Sequence, residues 1–300
     1  MKILVTGASG FLGSWLLPHL DNQGHDVGCL QRRSSVARPA YSGAQFWYID
    51  DDGSGVREAL AEFVPDVVVH LASRFIAEHA YEDITPLVRS NIEFGCQLLE
   101  AMKLARVNAL VCAGTSWQHY GNQQYCPANL YAATKQAFTT LADYYRETAG
   151  LRLLDLHLYD SYGEHDPRGK LLGALEDAAL SARELAMSSG EQRLHLVHAE
   201  DLCRGFASAC EQVRELPPGQ QRIYRLPSAA PVSLRQLVAA FNAANPARPV
   251  RVRWGARPYR RREVFEPWDG AEVLPGWQPS ITLEAGLRRL RQYSLSKRKD

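Results

Sequence analysis

Short apolar runs alternate with amphipathic stretches of helical length through the first half of the chain. Residues 2–5 read as a strand, 11–20 as a helix, and 25–30 and 45–49 as strands. Residues 56–63 read as a helix stopped by Pro65, and 67–71 as a buried strand. The alternation continues with a helix over 92–104, a strand over 109–113, a long helix over 130–148 and a strand over 153–158. Helices between successive strands predict an α/β fold, a doubly wound parallel sheet with right-handed crossovers. After about Gly163 the rhythm breaks, and prolines from Pro167 to Pro279 punctuate shorter elements. The division expected is a first domain over 1–163, with some later segments returning to it, and a smaller C-terminal lobe over 164–300. The second lobe is expected over the carboxyl ends of the strands.

A chain of 300 residues suits two lobes at roughly 150 residues each. Its 46% hydrophobic and 22% charged content is that of an ordinary globular protein. Thirty-four basic against 33 acidic residues give a formal charge of +1, which excludes a bulk cationic nucleic-acid binder. No apolar run reaches the ~18 residues of a membrane span. A strand begins at Lys2 and glycines follow from Gly7, leaving no room for a signal peptide. The expectation is a cytoplasmic protein without nucleic-acid or membrane partners. The six cysteines form no Cys-x-x-Cys pair and no zinc spacing, so they read as small buried hydrophobes and no metal site is assigned.

Between the first strand and helix stands Thr6-Gly7-Ala8-Ser9-Gly10-Phe11-Leu12-Gly13. Gly7 allows a tight turn, Gly10 lets backbone N–H groups approach a pyrophosphate, and Gly13 lets the helix pack closely on the sheet. In a strand–turn–helix context this spacing predicts dinucleotide binding on a Rossmann sheet. The end of the second strand, Gln31-Arg32-Arg33-Ser34-Ser35, carries no acid for a ribose hydroxyl. Arg32 and Arg33 offer forked donors to a 2′-phosphate, with a hydroxyl from Ser34 or Ser35, so NADP(H) is expected before NAD(H). Asp50, ending the third strand, is expected to meet the adenine amino group.

Tyr131 and Lys135 begin the long helix at i, i+4 spacing and share one face. A free phenol titrates near ~10, too high for proton exchange at neutral pH. A lysine cation ~5 Å away at a dielectric of ~20 favours the phenolate by about 3 kcal/mol, lowering that pKa by about two. The strand before this helix ends in Thr115 and Ser116, whose hydroxyls can hold a substrate carbonyl or alcohol beside the tyrosine.

These residues resemble the extended short-chain dehydrogenase/reductase superfamily of nucleotide-sugar enzymes, the NAD-dependent epimerase/dehydratase family. Ser116…Tyr120-Gly121 is similar to its Ser/Thr-x-x-x-Tyr-Gly pattern, which implies Ser116 as catalytic hydroxyl and Thr115 as a neighbour at the substrate. Val69-His70-Leu71-Ala72 resembles its fourth-strand segment, implying cofactor contacts from Leu71, Ala72 and Ser73 as well as from Ser9, Phe11 and Leu12. Asn91-Ile92-Glu93-Phe94-Gly95 resembles its Asn-x-x-Gly helix, where Asn91 supports the lysine's proton relay. Tyr159-Asp160-Ser161-Tyr162-Gly163, Val197-His198-Ala199-Glu200-Asp201 and Leu274-Pro275-Gly276-Trp277 extend the likeness through the second lobe. With Asp166-Pro167-Arg168-Gly169-Lys170, they resemble sugar 4-ketoreductases of the CDP-paratose/CDP-abequose synthase type.

Two positions depart from that pattern. Asp160 replaces an asparagine near the substrate diphosphate, and Gln192-Arg193 stands one residue out of phase with Gln-x-Arg. Seven arginines between Pro246 and Arg262, without a lysine or an acid, can supply forked cations to two phosphates. The resemblance implies substrate contacts from Asp160, Arg257 and Arg260. The basic run from Arg288 to Lys299 reads as a frayed tail.

The reading is an NADPH-dependent reductase of a nucleotide-diphosphate 4-keto sugar, working as a homodimer. The alternatives are a 4-epimerase that keeps NAD bound and a non-catalytic NADP-sensing protein. A 4,6-dehydratase needs an Asp-Glu pair where Trp117-Gln118 stand.

Overall fold

The computed structural model describes residues 1–33, 43–50 and 53–296. Ser34 and Ser35 lie outside the described residues. The chain opens with β1 (Lys2–Thr6), α1 (Phe11–Asn22), β2 (Asp26–Arg32), β3 (Gln45–Ile49), α2 (Val56–Phe63) and β4 (Val67–His70). There follow α3 (Ile84–Val88), a π-helical turn Arg89–Glu93, α4 (Phe94–Leu104), β5 (Ala109–Thr115), α5 (Leu130–Ala149) and β6 (Arg152–Leu158). The later part contains β7 (Asp160–Tyr162), α6 (Leu171–Ser181), β8 (Leu185–Ala186), β9 (Arg193–Leu194), β10 (Leu196–His198) and α7 (Ala199–Glu215). It closes with β11 (Gln221–Leu226), β12 (Val232–Ser233), α8 (Leu234–Ala244), β13 (Val252–Arg253) and α9 (Leu283–Ser296).

The main sheet has the order β11-β6-β5-β4-β1-β2-β3, and every pairing in it is parallel. This is the doubly wound order, which reverses between β1 and β4. Alternate side chains explain the layers, because a strand's residues point to opposite faces. Ile3, Val5, Val67, Val69 and Val111 meet Leu16 and Leu20 of α1 and Phe206 and Cys210 of α7. Leu4, Val68 and Leu110 meet Leu60 of α2, Leu98 of α4 and Phe138 of α5 on the other face. A third core, built on Leu175, Leu237 and Phe241, serves the C-terminal lobe. The α/β architecture with a smaller C-terminal lobe is therefore as expected. α7 and β11 come from the later part of the chain yet complete the main sheet and its cover.

Two local expectations change. The helix expected over 92–104 starts earlier, at Ile84, and runs as α3, a π-helical turn and α4 in succession. The basic tail is helical through Ser296, and Arg289 Nη1 lies 2.7 Å from Glu200 Oε2. Asp201, fully buried at the start of α7, accepts hydrogen bonds from Ser280 N, Ser280 Oγ and Ile281 N, which fastens the closing segment to the sheet. Among the described residues, all six cysteines are free and no helix is long and apolar enough to cross a membrane.

Candidate active site

A cleft of about 780 Å³ opens at the carboxyl ends of β1, β4 and β5, beside the point where the strand order reverses. Its floor is the glycine turn. Gly7 has φ +73°, and a side chain there would meet Ala72 N at 2.6 Å. A Cβ on Gly13 would meet Ala8 O at 2.6 Å, so α1 can approach β1 only without one. α1 starts at Gly10 with no acidic residue in its first turn, leaving its N–H groups and dipole open to an anion. Ser9, Phe11 and Leu12 line the same wall, and Leu71, Ala72 and Ser73 after β4 line the facing one. A polar, side-chain-free cradle of this form fits the pyrophosphate of a dinucleotide.

At the end of the cleft beside β2 and β3 the lining includes Arg32 and Asp50. β2 and β3 pair in parallel with Arg32 opposite Ile49, which sets Arg33 beside Asp50. Arg33 Nε lies 2.9 Å from Asp50 Oδ1, and Arg33 does not line the cleft. One of the two forked donors expected for a 2′-phosphate, Arg33, is thus paired with a carboxylate contributed by the neighbouring strand.

Asn129 sets the position of Tyr131. Its Oδ1 accepts from Ala132 N at 2.9 Å, capping α5, and its Nδ2 donates to Ala77 O at 3.0 Å. Tyr131 and Lys135 both line the cleft, as do Thr115 and Ser116 from the end of β5. The turn Ser116–Gln118 is held by Thr115 Oγ1, which accepts from Trp117 N, and by Gln118 Oε1, which accepts from Thr115 N at 2.9 Å. Burial pushes the Tyr131 phenol up to about 12, against the opposing influence of a hydrogen bond with Ser73 and the charge of Arg168. This corrects the expectation of a phenol brought down by Lys135: burial is the largest influence on Tyr131, and the charge opposing it is that of Arg168. Burial likewise lowers the Lys135 ammonium, partly offset by Cys112 and Asp155.

Asn91 is buried in the π-helical turn and does not line the cleft. Its Oδ1 accepts from Arg74 N at 2.7 Å and Ser73 Oγ at 3.1 Å, while its Nδ2 donates to Arg74 O and Thr134 Oγ1. It ties the segment after β4 to α5, and none of its hydrogen bonds goes to Lys135.

On the second-lobe side, the sequence reading missed Arg168, Lys170 and Phe75, which all line the cleft. Arg168 is forked onto Asp166 at 2.6 Å, donates to Ser161, and stacks 4.0 Å above the Phe11 ring. Lys170 Nζ lies 4.6 Å over Phe75, whose edge meets Tyr131 at 5.0 Å. Arg168 and Lys170 fall within Asp166-Pro167-Arg168-Gly169-Lys170, so a signal existed; Phe75, in the loop after β4, gave none. Asp160 lines the cleft, and its charge acts on Lys170, which offsets the repulsion of phosphate expected from a bare carboxylate. Arg257 and Arg260 do not line it. Arg257 serves through its backbone, bonding Met187 O, and Arg260 lies 3.6 Å from Glu78 beside the Trp117 ring at the rim. Other arginines of that run are similarly engaged, Arg253 with Glu184 and Arg262 with Cys126.

Comparison with known proteins adds the following. A UDP-glucose 4-epimerase of Mycolicibacterium smegmatis is 27% identical over 99% of this chain and 99% of its own. A CDP-abequose synthase of Yersinia pseudotuberculosis is 28% identical over 67% of this chain and 70% of its own. Among solved structures, the UDP-glucose 4-epimerase of Thermus thermophilus complexed with NAD superposes with a TM-score of 0.82 at 23% identity, covering 98% of this chain and 99% of that one. The UDP-glucuronic acid 4-epimerase of Bacillus cereus, complexed with UDP-glucuronic acid and NAD, gives 0.84 at 22% identity over 99% and 100%.

These findings correct two expectations. The solved relatives contain NAD rather than NADP, in keeping with the Asp50 carboxylate beside Arg33. The relatives matched from end to end include the 4-epimerases named above, so the NADPH-dependent 4-ketoreductase expected from the second-lobe motifs is set aside. Residues 3–225 match the model of the NAD dependent epimerase/dehydratase family, and the chain belongs to that family.

Proposed function

We propose that this chain is an NAD-dependent 4-epimerase of a nucleotide-diphosphate sugar. The observation that carries the proposal is one cleft lined by the Gly7–Gly13 turn, Asp50, Ser116, Tyr131 and Lys135 together. Its end-to-end likeness to a UDP-glucose 4-epimerase supports the same choice among the family's reactions. Gly7, Gly10 and Gly13 would hold the pyrophosphate of NAD, and Asp50 its adenosine end. When bound, NAD would supply a reversible hydride acceptor for C4 of the sugar.

Tyr131 takes the proton of the C4 hydroxyl as the C4–H bond breaks and gives it back when the bond reforms, so no net oxidation results. Ser116 donates a hydrogen bond to the same oxygen. Arg168 favours the phenolate form, which burial otherwise opposes, and Lys135 brings a second cation to the same cleft wall. Lys170 and Arg168 supply positive charge for the diphosphate, with Phe75 and Trp117 as an apolar wall for the sugar. The homodimer belongs to the same proposal, and Ile84, Val88 and Tyr144 supply exposed apolar surface on α3 and α5 for it.

The test uses the purified protein without added cofactor. Acid release should yield NAD, and UDP-glucose or UDP-glucuronate should be converted to its C4 epimer. Absence of the epimer with every UDP-hexose tried, in protein loaded with NAD, would overturn the proposal.

A further inference from the structure

Between β7 and α6 runs the short segment Asp166-Pro167-Arg168-Gly169-Lys170, which lines the cleft through Pro167, Arg168 and Lys170. It touches both walls. The Arg168 guanidinium stacks 4.0 Å over the ring of Phe11, the first residue of α1 and part of the glycine-turn wall. Two residues on, Lys170 Nζ lies 4.6 Å over the ring of Phe75, in the loop after β4 on the facing wall. The edge of Phe75 in turn meets Tyr131 at 5.0 Å. A strap thus crosses the cleft from the Gly7–Gly13 cradle to the wall beside Tyr131.

Hydrogen bonds hold Arg168 in this position. Its Nε and Nη2 fork onto Asp166 at 2.6 Å, its Nη1 donates to Ser161 Oγ at 3.0 Å, and its Nη2 also donates to Ser161 O at 2.9 Å. Asp166 accepts from Arg168 N as well, at 3.0 Å, which closes the turn on itself. Asp166 does not line the cleft, so it acts there only through Arg168. Two residues in the left-handed region flank the turn, His165 at φ +63° and Gly169 at φ +59°. The His165 ring is packed 4.1 Å from that of Tyr293 on α9. A few such positions at the ends of a short segment can absorb the rotation that lifts it.

We propose that the Asp166–Lys170 strap controls exchange of the dinucleotide, with Arg168 and Asp166 as the positioning residues that keep it shut. A dinucleotide laid from the Gly7–Gly13 turn to Tyr131 passes beneath both cation–π contacts. The strap must lift from Phe11 and Phe75 before that dinucleotide can enter or leave. These contacts join protein to protein, so breaking them removes nothing from the dinucleotide itself. Weakening them therefore speeds entry and release together and changes affinity less than either rate. The inference rests on the reading that the cleft holds a nicotinamide dinucleotide, and not on the sugar chemistry.

Stopped-flow fluorescence tests this by following NADH as it enters cofactor-free protein and, in a second mix, as excess NAD chases it off. In Arg168→Ala both rates should rise about tenfold, the contribution of a partly buried cation–π contact, while their ratio changes by less than about threefold. Asp166→Asn leaves every cleft-lining side chain in place and should raise both rates in the same sense. Added to Arg168→Ala it should have no further effect, because the two residues act as one unit. Arg168→Lys keeps the charge without the fork and should behave as Arg168→Ala does. Unchanged rates in Arg168→Ala or Asp166→Asn would overturn the proposal. So would faster release with unchanged entry, which makes Arg168 an ordinary cofactor contact, or normal rates in Arg168→Lys, which makes bare charge sufficient. If Arg168→Ala does not fold, Asp166→Asn decides alone. Protein that takes up no NADH would overturn this inference and the proposed function together. Protein that exchanges NADH in this way yet epimerises no sugar would overturn the epimerase reading alone.

Discussion

Arg33 and Asp50 form an ion pair with Nε and Oδ1 2.9 Å apart, joining the end of β2 to the end of β3. Both side chains are exposed, so the pair contributes little to stability. Its consequence is local: the end of the cleft between β2 and β3 carries a carboxylate beside Arg32, so its cations are partly compensated.

Asp50→Asn should therefore move cofactor preference. With the carboxylate neutralised, Arg32 and Arg33 become available for charge-assisted hydrogen bonds worth roughly 1.5–3 kcal/mol each. The ratio of NADPH to NADH affinity, read by calorimetry, should rise about tenfold or more. An unchanged ratio would mean that Asp50 does not govern this end of the site.

Tyr131→Phe removes a hydroxyl without disturbing the apolar edge contact with Phe75. Epimerisation should slow by about 10²–10⁴-fold, the usual contribution of a positioned acid–base group. Retention of NAD through gel filtration should stay near that of the unaltered protein. Near-normal turnover in this variant would remove Tyr131 from the chemistry.

Gly13→Ala tests the cradle rather than the chemistry. The added Cβ meets backbone at Ala8, which cannot swing aside as a flexible side chain would. A cost of about 1–3 kcal/mol is expected for forcing α1 away from β1. The melting temperature should drop by several degrees and NAD should be lost on dilution. A stable variant that still retains NAD would contradict the close-packing argument.

Acid should destabilise the fold below pH about 6.5 through histidines buried in their neutral form. Burial lowers His70 to about 3 and His119 and His195 to about 4. In the unfolded chain they bind protons near ~6.5, so the unfolded state holds more protons as the pH falls. Stability is full above that value and declines progressively toward pH about 4. Thermal melts between pH 7 and 4, compared with the same series for His195→Gln, should show a shallower decline in the variant.

The sheet and most of the cleft wall were legible in the residue pattern alone. Consecutive apolar positions such as Ile3, Leu4 and Val5 dictate a strand buried on both faces, and the spacing of Gly7, Gly10 and Gly13 after it dictates a turn with no room for side chains. Tyr131 and Lys135 were legible for a similar reason, since i, i+4 spacing on one helix gives a shared face without reference to the rest of the molecule. Interactions between distant segments were decided only by the tertiary structure. Asp50 meets Arg33 because β2 and β3 lie side by side in a particular register, which no local pattern encodes. Arg257 and Arg260 have the composition of phosphate ligands, yet neither lines the cleft: Arg257 bonds Met187 through its backbone N–H, Arg260 lies beside Glu78, and Lys170 and Arg168 line the cleft instead. His119 and His157 stand 38 residues apart. They share one line of hydrogen bonds because the strand register sets His157 beneath Gly114, just before the turn that ends at His119.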